Sequence, residues 1–195
     1  MTEERILVLG VGNLLMRDEG VGPRVVEALS SAYSLPDSVR VVDAGTLGFG
    51  MVHLLRDADY VLVVDAVDGT PHPPGTVLRL APEHFAPNQV LHSLHDVRLV
   101  DVLAAARLIG VEPQVECVGI QVEDIAPDEL SVGLTERVEA ALPRATAAVL
   151  MLLEERGVPH TRTHGADAAF AAAVEEALAE MRERLRTTGA SADYS

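Results

Sequence analysis

The chain has 195 residues, 48% of them apolar and 3% aromatic, with a formal net charge of −15. That length fits one domain with room for a core, and no apolar run approaches the ~20 residues of a membrane span. The negative charge opposes nucleic acid or an anionic membrane as partner, since both need clustered Lys and Arg, and the single cysteine, Cys117, leaves no internal disulfide and points to a cytoplasmic protein.

The N-terminus, MTEERILVLG, reads as a first strand at Ile6–Leu9 and not as a signal peptide, because no small-residue cleavage site follows the apolar stretch. The loop GVGNLLMRDEGVG, Gly10 to Gly22, leads into a helix over Val21 to Tyr33, with Val21, Val25, Ala28 and Leu29 on one side. A second strand, Val39–Val42, ends at Asp43-Ala44-Gly45-Thr46, and a short helix is expected from Thr46 to Leu55. The third strand, Tyr60–Val64, ends at Asp65. Alternating strands and helices of this kind specify a parallel sheet covered on both faces.

The next connection, DAVDGTPHPPG, is too short and too rich in proline and glycine for a helical crossover. Thr76–Leu80 is therefore expected to run antiparallel at a sheet edge. Ser93 to Ile109 is helical and opens with Ser93-x-x-Asp96, a capping-box spacing. Val115–Ile120 is the last strand, and Leu134 to Glu155 reads as one long helix kinked at Pro143. These elements make a three-layer α/β/α fold with a twisted, mostly parallel five-stranded sheet and one antiparallel edge strand. Residues 1–157 form this α/β domain. Residues 158–195 read as a linker from Pro159 to Gly165, an amphipathic helix from Ala168 to Arg186, and a disordered tail from Thr187. The helix stripe of Phe170, Val174, Leu178, Met181 and Leu185 fits docking on the domain or on a partner, and docking on the domain is the favoured expectation.

Gly10-x-Gly12 after a strand suggests dinucleotide binding, and Asp43 stands where a ribose-binding acid would. The third glycine position, however, holds Leu15. Asp18 and Glu19 would also repel a pyrophosphate from a helix N-terminus, which attracts anions. A loop that supplies its own carboxylate is half of a metal site. In an open parallel sheet the partners come from the carboxyl ends of the strands. Asp65 ends such a strand, either as a turn cap or as a site residue. Of the seven histidines, His92 and His95 lie closest in sequence to that crevice. No G-x-S-x-G elbow is present, Cys117 reads as a buried small residue, and the lack of tryptophan argues against a sugar cleft.

The loop GVGNLLMRDEGVG, DAGT at Asp43–Thr46, VVDAV around Asp65, SLHDVRLVDVL from Ser93, VGIQVED from Val118 and GLT at Gly133–Thr135 occur in order over residues 5 to 157. Together they resemble the nickel–iron hydrogenase maturation endopeptidases. The resemblance implies Glu19, Asp65 and His95 as metal-binding and catalytic residues, with Asp43, Gly45 and Thr46 at the substrate. It implies removal of a C-terminal extension from a hydrogenase large-subunit precursor, with nickel arriving in that precursor and the free enzyme metal-free. A monomer is expected. Ala44 departs from the glycine of D-G-G-T in many relatives, where its methyl would narrow the substrate loop, and Gln121-Val122-Glu123 lacks the proline they carry. Two other readings remain open: a nucleotide- or S-adenosylmethionine-binding enzyme using Gly10, Gly12 and Asp43, and a non-catalytic metallochaperone for the same precursor.

Overall fold

A computed structural model describes residues 4–80, 99–125 and 130–188. The first apolar run forms β1 (Ile6–Val11). A 3-10 turn at Arg17–Gly20 precedes α1 (Val21–Ala32). A two-residue strand, β2 (Tyr33–Ser34), follows, then β3 (Val39–Gly45), α2 (Met51–Leu55) and β4 (Tyr60–Val67). The chain continues through β5 (Val77–Leu80), α3 (Leu99–Leu108) and β6 (Gln114–Gln121). It ends with α4 (Glu136–Ala140), α5 (Leu142–Glu155), β7 (Thr161–Arg162) and α6 (Ala168–Thr188).

The main sheet has the order β3-β1-β4-β6-β5. Its first four strands are parallel, and β5 runs antiparallel to β6 at the edge, as the short proline-rich connection requires. Successive side chains of a strand point to opposite faces, and both faces here are apolar. Val8, Leu62 and Val64 pack in one cluster with Val25 and Leu29 of α1 and Leu150 and Leu153 of α5. Leu7, Leu9, Val61 and Val63 pack in the other with Leu55 of α2 and Val102 of α3. Burying a side chain such as Leu29 completely is worth roughly 2 kcal/mol, so these clusters are what fix the three layers. No helix among the described residues is long and apolar enough to cross a membrane.

Three details depart from the sequence reading. The long final helix is two helices, α4 and α5, separated by Ala141. Pro143 lies in the first turn of α5, where its missing N–H has no helical acceptor to lose, so the chain breaks and restarts instead of kinking. The Pro159–Gly165 segment contains β7, which pairs antiparallel with β2. The stripe on α6 is docked: Val174, Leu178 and Met181 are buried in the cluster that holds α1 and α5, and the helix takes in Thr187 and Thr188. The capping spacing Ser93–Asp96 lies outside the described residues, as do residues 189–195.

Candidate active site

The sheet order decides where a site forms. From β1 the chain moves to β3 on one side, then returns to β4 on the other. The carboxyl ends of β1 and β4 are therefore the point at which the winding reverses, the crevice where open α/β sheets bind ligands. The loop after β1 carries Glu19, and β4 carries Asp65.

Two glycines shape that loop. Gly12 has φ +139°, and a Cβ there would stand 1.8 Å from the carbonyl oxygen of Glu19. Gly22 opens α1 so closely against the strands that a Cβ would lie 2.2 Å from the Val11 oxygen and 2.4 Å from the Val64 oxygen. The close-approach role that a dinucleotide fingerprint gives its third glycine thus falls to Gly22, while Leu15 is exposed. Asn13 shapes the turn between them, its Oδ1 accepting from the Leu15 N–H at 3.0 Å and its carbonyl from the Met16 N–H at 3.0 Å.

Asp18 and Glu19 are both buried, at 0% and 1% exposure, yet they are placed differently. Asp18 does not sit in the field of the α1 N-terminus as the sequence suggests. Its Oδ2 accepts from the Glu123 and Asp124 N–H groups, both at 3.0 Å, and from the Thr135 hydroxyl at 2.9 Å. Its Oδ1 accepts from the Thr135 N–H at 2.6 Å. The loop does hold its own anion, but with donors from the exit of β6 and the start of α4.

Asp65 does not end its strand as the sequence reading has it: β4 runs on to Val67 because Ala66 and Val67 still pair with Ile120 and Gln121 of β6. Asp65 is in register with Gly119 and shares its face of β4 with Val61 and Val63. Burial pushes its carboxyl up to about 8, the Ala66 N–H donated to Oδ1 at 2.8 Å opposes this, and the charge of Glu19 adds to the rise. The residue is partly covered, neither fully buried nor open to solvent. Burial first, and Asp65 second, push the Cys117 thiol well up, so this cysteine is a buried neutral side chain and no nucleophile.

Asp43, Gly45 and Thr46 form the neighbouring lip. Asp43 Oδ1 accepts from the Gly45 N–H at 2.8 Å, and the Gly45 carbonyl accepts from the Gly12 N–H at 3.1 Å, which ties the two loops together. Ala44 is the extra residue of a bulge, since Gly10 pairs with Asp43 and Val11 with Gly45. Its methyl is 1% exposed and packs in the core. In the proline-free segment, the Val122 N–H donates to the Val67 carbonyl at 3.0 Å, a bond that proline would remove.

His95 and His92 lie outside the described residues; His95 precedes the start of α3 by four positions. Among the described residues no group of three His, Cys, Asp or Glu side chains is arranged to hold a metal, so a three-ligand site needs a donor from elsewhere. Sequence reasoning assigned to Asp18 only a charge that opposes a pyrophosphate, and nothing to Thr135 or Gln121. Gln121 is buried, its Oε1 accepting from the Thr70 N–H at 3.1 Å and its Nε2 donating to the Val122 carbonyl at 2.9 Å, which fixes the loop that follows Asp65. The signal for the first two was the pair of segments V-E-D and G-L-T, which carry no chemistry of their own until folded onto Asp18.

Fold and site together define a doubly wound α/β protein with one acid, Glu19, in the turn after β1 and another, Asp65, on β4, at the switch point of its sheet. The chain belongs to the hydrogenase maturation protease family, whose family model matches residues 23–152. It is 40% identical over 158 residues to the hydrogenase 2 maturation protease of Escherichia coli, covering 79% of this chain and 93% of that one. It is also 40% identical over 163 residues to the hydrogenase expression/formation protein HoxM of Azotobacter vinelandii, covering 81% and 76%. Among solved structures, the hydrogenase maturating endopeptidase HybD from E. coli superposes with a TM-score of 0.73 at 39% identity, over 81% of this chain and 97% of that chain. The protein is a hydrolase of the protease class.

Proposed function

We propose that the chain removes the C-terminal extension of a nickel–iron hydrogenase large-subunit precursor after nickel insertion, with Glu19, Asp65 and His95 engaging the nickel that the precursor brings. The observation that carries this reading is a buried carboxyl at the switch point of the sheet: Asp65 is raised to about 8, chiefly by burial, with the charge of Glu19 adding to the rise. A divalent cation opposes that rise and displaces the proton. Two carboxylates with one imidazole suit a borderline ion such as nickel, and three protein donors leave positions for the substrate. Bound nickel supplies polarisation of the scissile carbonyl or a water of lowered pKa. The chain's own part is to hold the donors rigid at the strand ends and to present the lip of Asp43, Gly45 and Thr46 to the peptide. The work is done by a monomer in the cytoplasm.

The test is to incubate the protein with nickel-loaded precursor and follow the precursor mass. Loss of a discrete C-terminal peptide is expected, and Glu19→Gln and Asp65→Asn should each abolish it while leaving the fold intact. Binding without a mass change would instead support a metallochaperone, and cleavage by Glu19→Gln at the normal rate would refute the ligand assignment.

A further inference from the structure

Glu19 is carried by a four-residue 3-10 turn, Arg17–Gly20, that has no side-chain cap of its own. A 3-10 turn advances about 120° per residue, so neighbouring side chains leave it in different directions. Glu19 is placed where its charge acts on Asp65. Asp18, one residue earlier, points away from it into the segment that follows β6. There it accepts from three backbone N–H groups, those of Glu123, Asp124 and Thr135, and from the Thr135 hydroxyl.

Other bonds run beside these. The Asp18 N–H donates to the Asp124 carbonyl at 3.3 Å, the Arg17 N–H to the Ser131 carbonyl at 2.7 Å, and the Ser131 N–H to the Leu15 carbonyl at 3.0 Å. Arg17 Nε lies 3.5 Å from Asp124 Oδ2. On its inner side the turn rests on Gly12, with no room for a side chain. The Glu19 backbone is thus held between Gly12 and an anchor made mainly by Asp18. The Thr135 hydroxyl, at the N-cap of α4, makes no capping bond to its own helix and is given to Asp18 instead.

Burying a carboxylate is costly, and an apolar contact would join these segments at lower cost. What four directional bonds add is a fixed orientation. We propose that Asp18 is a positioning residue for Glu19: through Glu123, Asp124 and Thr135 it sets the turn that aims Glu19 at the end of β4. Thr135 completes the anchor from a position 116 residues further along the chain than Glu19. The inference rests on the reading of Glu19 as a residue of the active site.

The experiment measures kcat and KM for precursor cleavage, together with urea unfolding, for the full chain and its Asp18→Asn, Thr135→Val, Thr135→Ser and Glu19→Gln variants. Asp18→Asn puts an amide donor where only acceptors fit, and kcat is expected to fall about 10- to 100-fold, the usual effect of losing a residue that orients a ligand. Thr135→Val removes one hydroxyl with little change of volume, so it keeps the test alive if Asp18→Asn does not fold; about a 10-fold loss in kcat is expected. Thr135→Ser, which retains the hydroxyl, restores most of it. A purely structural anchor predicts something else: lower urea midpoints with wild-type kcat in the folded fraction. That result, with Glu19→Gln inactive, overturns the positioning role alone. Normal cleavage by Glu19→Gln overturns both the role and the site assignment.

Discussion

A methyl group at position 12 would stand 1.8 Å from the Glu19 carbonyl oxygen, on a backbone with φ +139°. Gly12→Ala therefore adds left-handed strain to overpacking, and together these should cost about 3 kcal/mol or more. The turn bearing Glu19 must shift to make room, so precursor cleavage should fall further than the loss of folded protein explains; urea unfolding beside a cleavage assay measures both. If Gly12→Ala kept full activity per folded molecule, the close approach would have no bearing on the site. At this scale the sequence was informative where a residue acts through its neighbours. G-x-G-N predicts a tight turn because glycine and asparagine shape backbone locally, and Asp65 at the end of an apolar run predicts a rigid carboxylate. Asp18 was opaque because its partners lie 105, 106 and 117 positions away. Nothing in D-E says which acid faces inward to the fold and which faces the crevice.

Elements were legible as far as periodicity reaches. The α6 stripe predicted docking, and the buried positions Val174, Leu178 and Met181 follow it. The polar ties that add to this docking were less visible: Arg144 of α5 pairs with Glu180 at 3.1 Å, the Tyr33 hydroxyl donates to Glu175 at 3.1 Å, and one acid of α5, Glu154, gathers two partners. Glu154 accepts from Arg182 Nε at 3.0 Å and also from Arg182 Nη2, and its Oε1 lies 2.7 Å from His160 Nε2. Burial pushes its carboxyl up, but hydrogen bonds and charge from Arg182 and His160 outweigh burial and hold it below the usual range. A carboxyl whose folded pKa is depressed stabilises fully above its unfolded pKa and loses that contribution as pH falls through the folded value. Glu154→Gln should accordingly lower the unfolding free energy measured in urea at neutral pH, by about 1 kcal/mol for a partly exposed pair, and the two proteins should converge in acid. A constant gap across the pH range would show that the charge of Glu154 is not what ties α6 down. Pro143 teaches a related limit. The residue marks an interruption, but whether a helix bends or restarts depends on whether proline falls in an interior turn or in a first turn, and Pro143 falls in the first turn of α5.

For the whole molecule, the alternation of strands and helices was enough to give three layers, and an eleven-residue proline-rich connection was enough to turn β5 antiparallel. Strand order was not readable in the same way. The order β3-β1-β4-β6-β5 is a consequence of which faces bury against which helices, summed over the chain, and it is this order that sets Glu19 beside Asp65. The same summing decides whether α6 is an appendage. Its buried side chains join the cluster that also holds α1, α5 and one face of the sheet, so its loss is a loss to the common core. Leu178 is fully buried, and Leu178→Ala should cost about 2–5 kcal/mol from lost contacts and the cavity left behind. Because the cluster is shared, unfolding should stay a single transition shifted to lower urea, with far-ultraviolet dichroism and tyrosine fluorescence moving together. Cleavage per folded molecule should be unchanged, since α6 packs in the cluster on one face of the sheet while Glu19 lies in the turn after β1 and Asp65 near the carboxyl end of β4. Two separate transitions would instead mean that α6 melts alone, leaving residues 4–157 to stand as the folded unit.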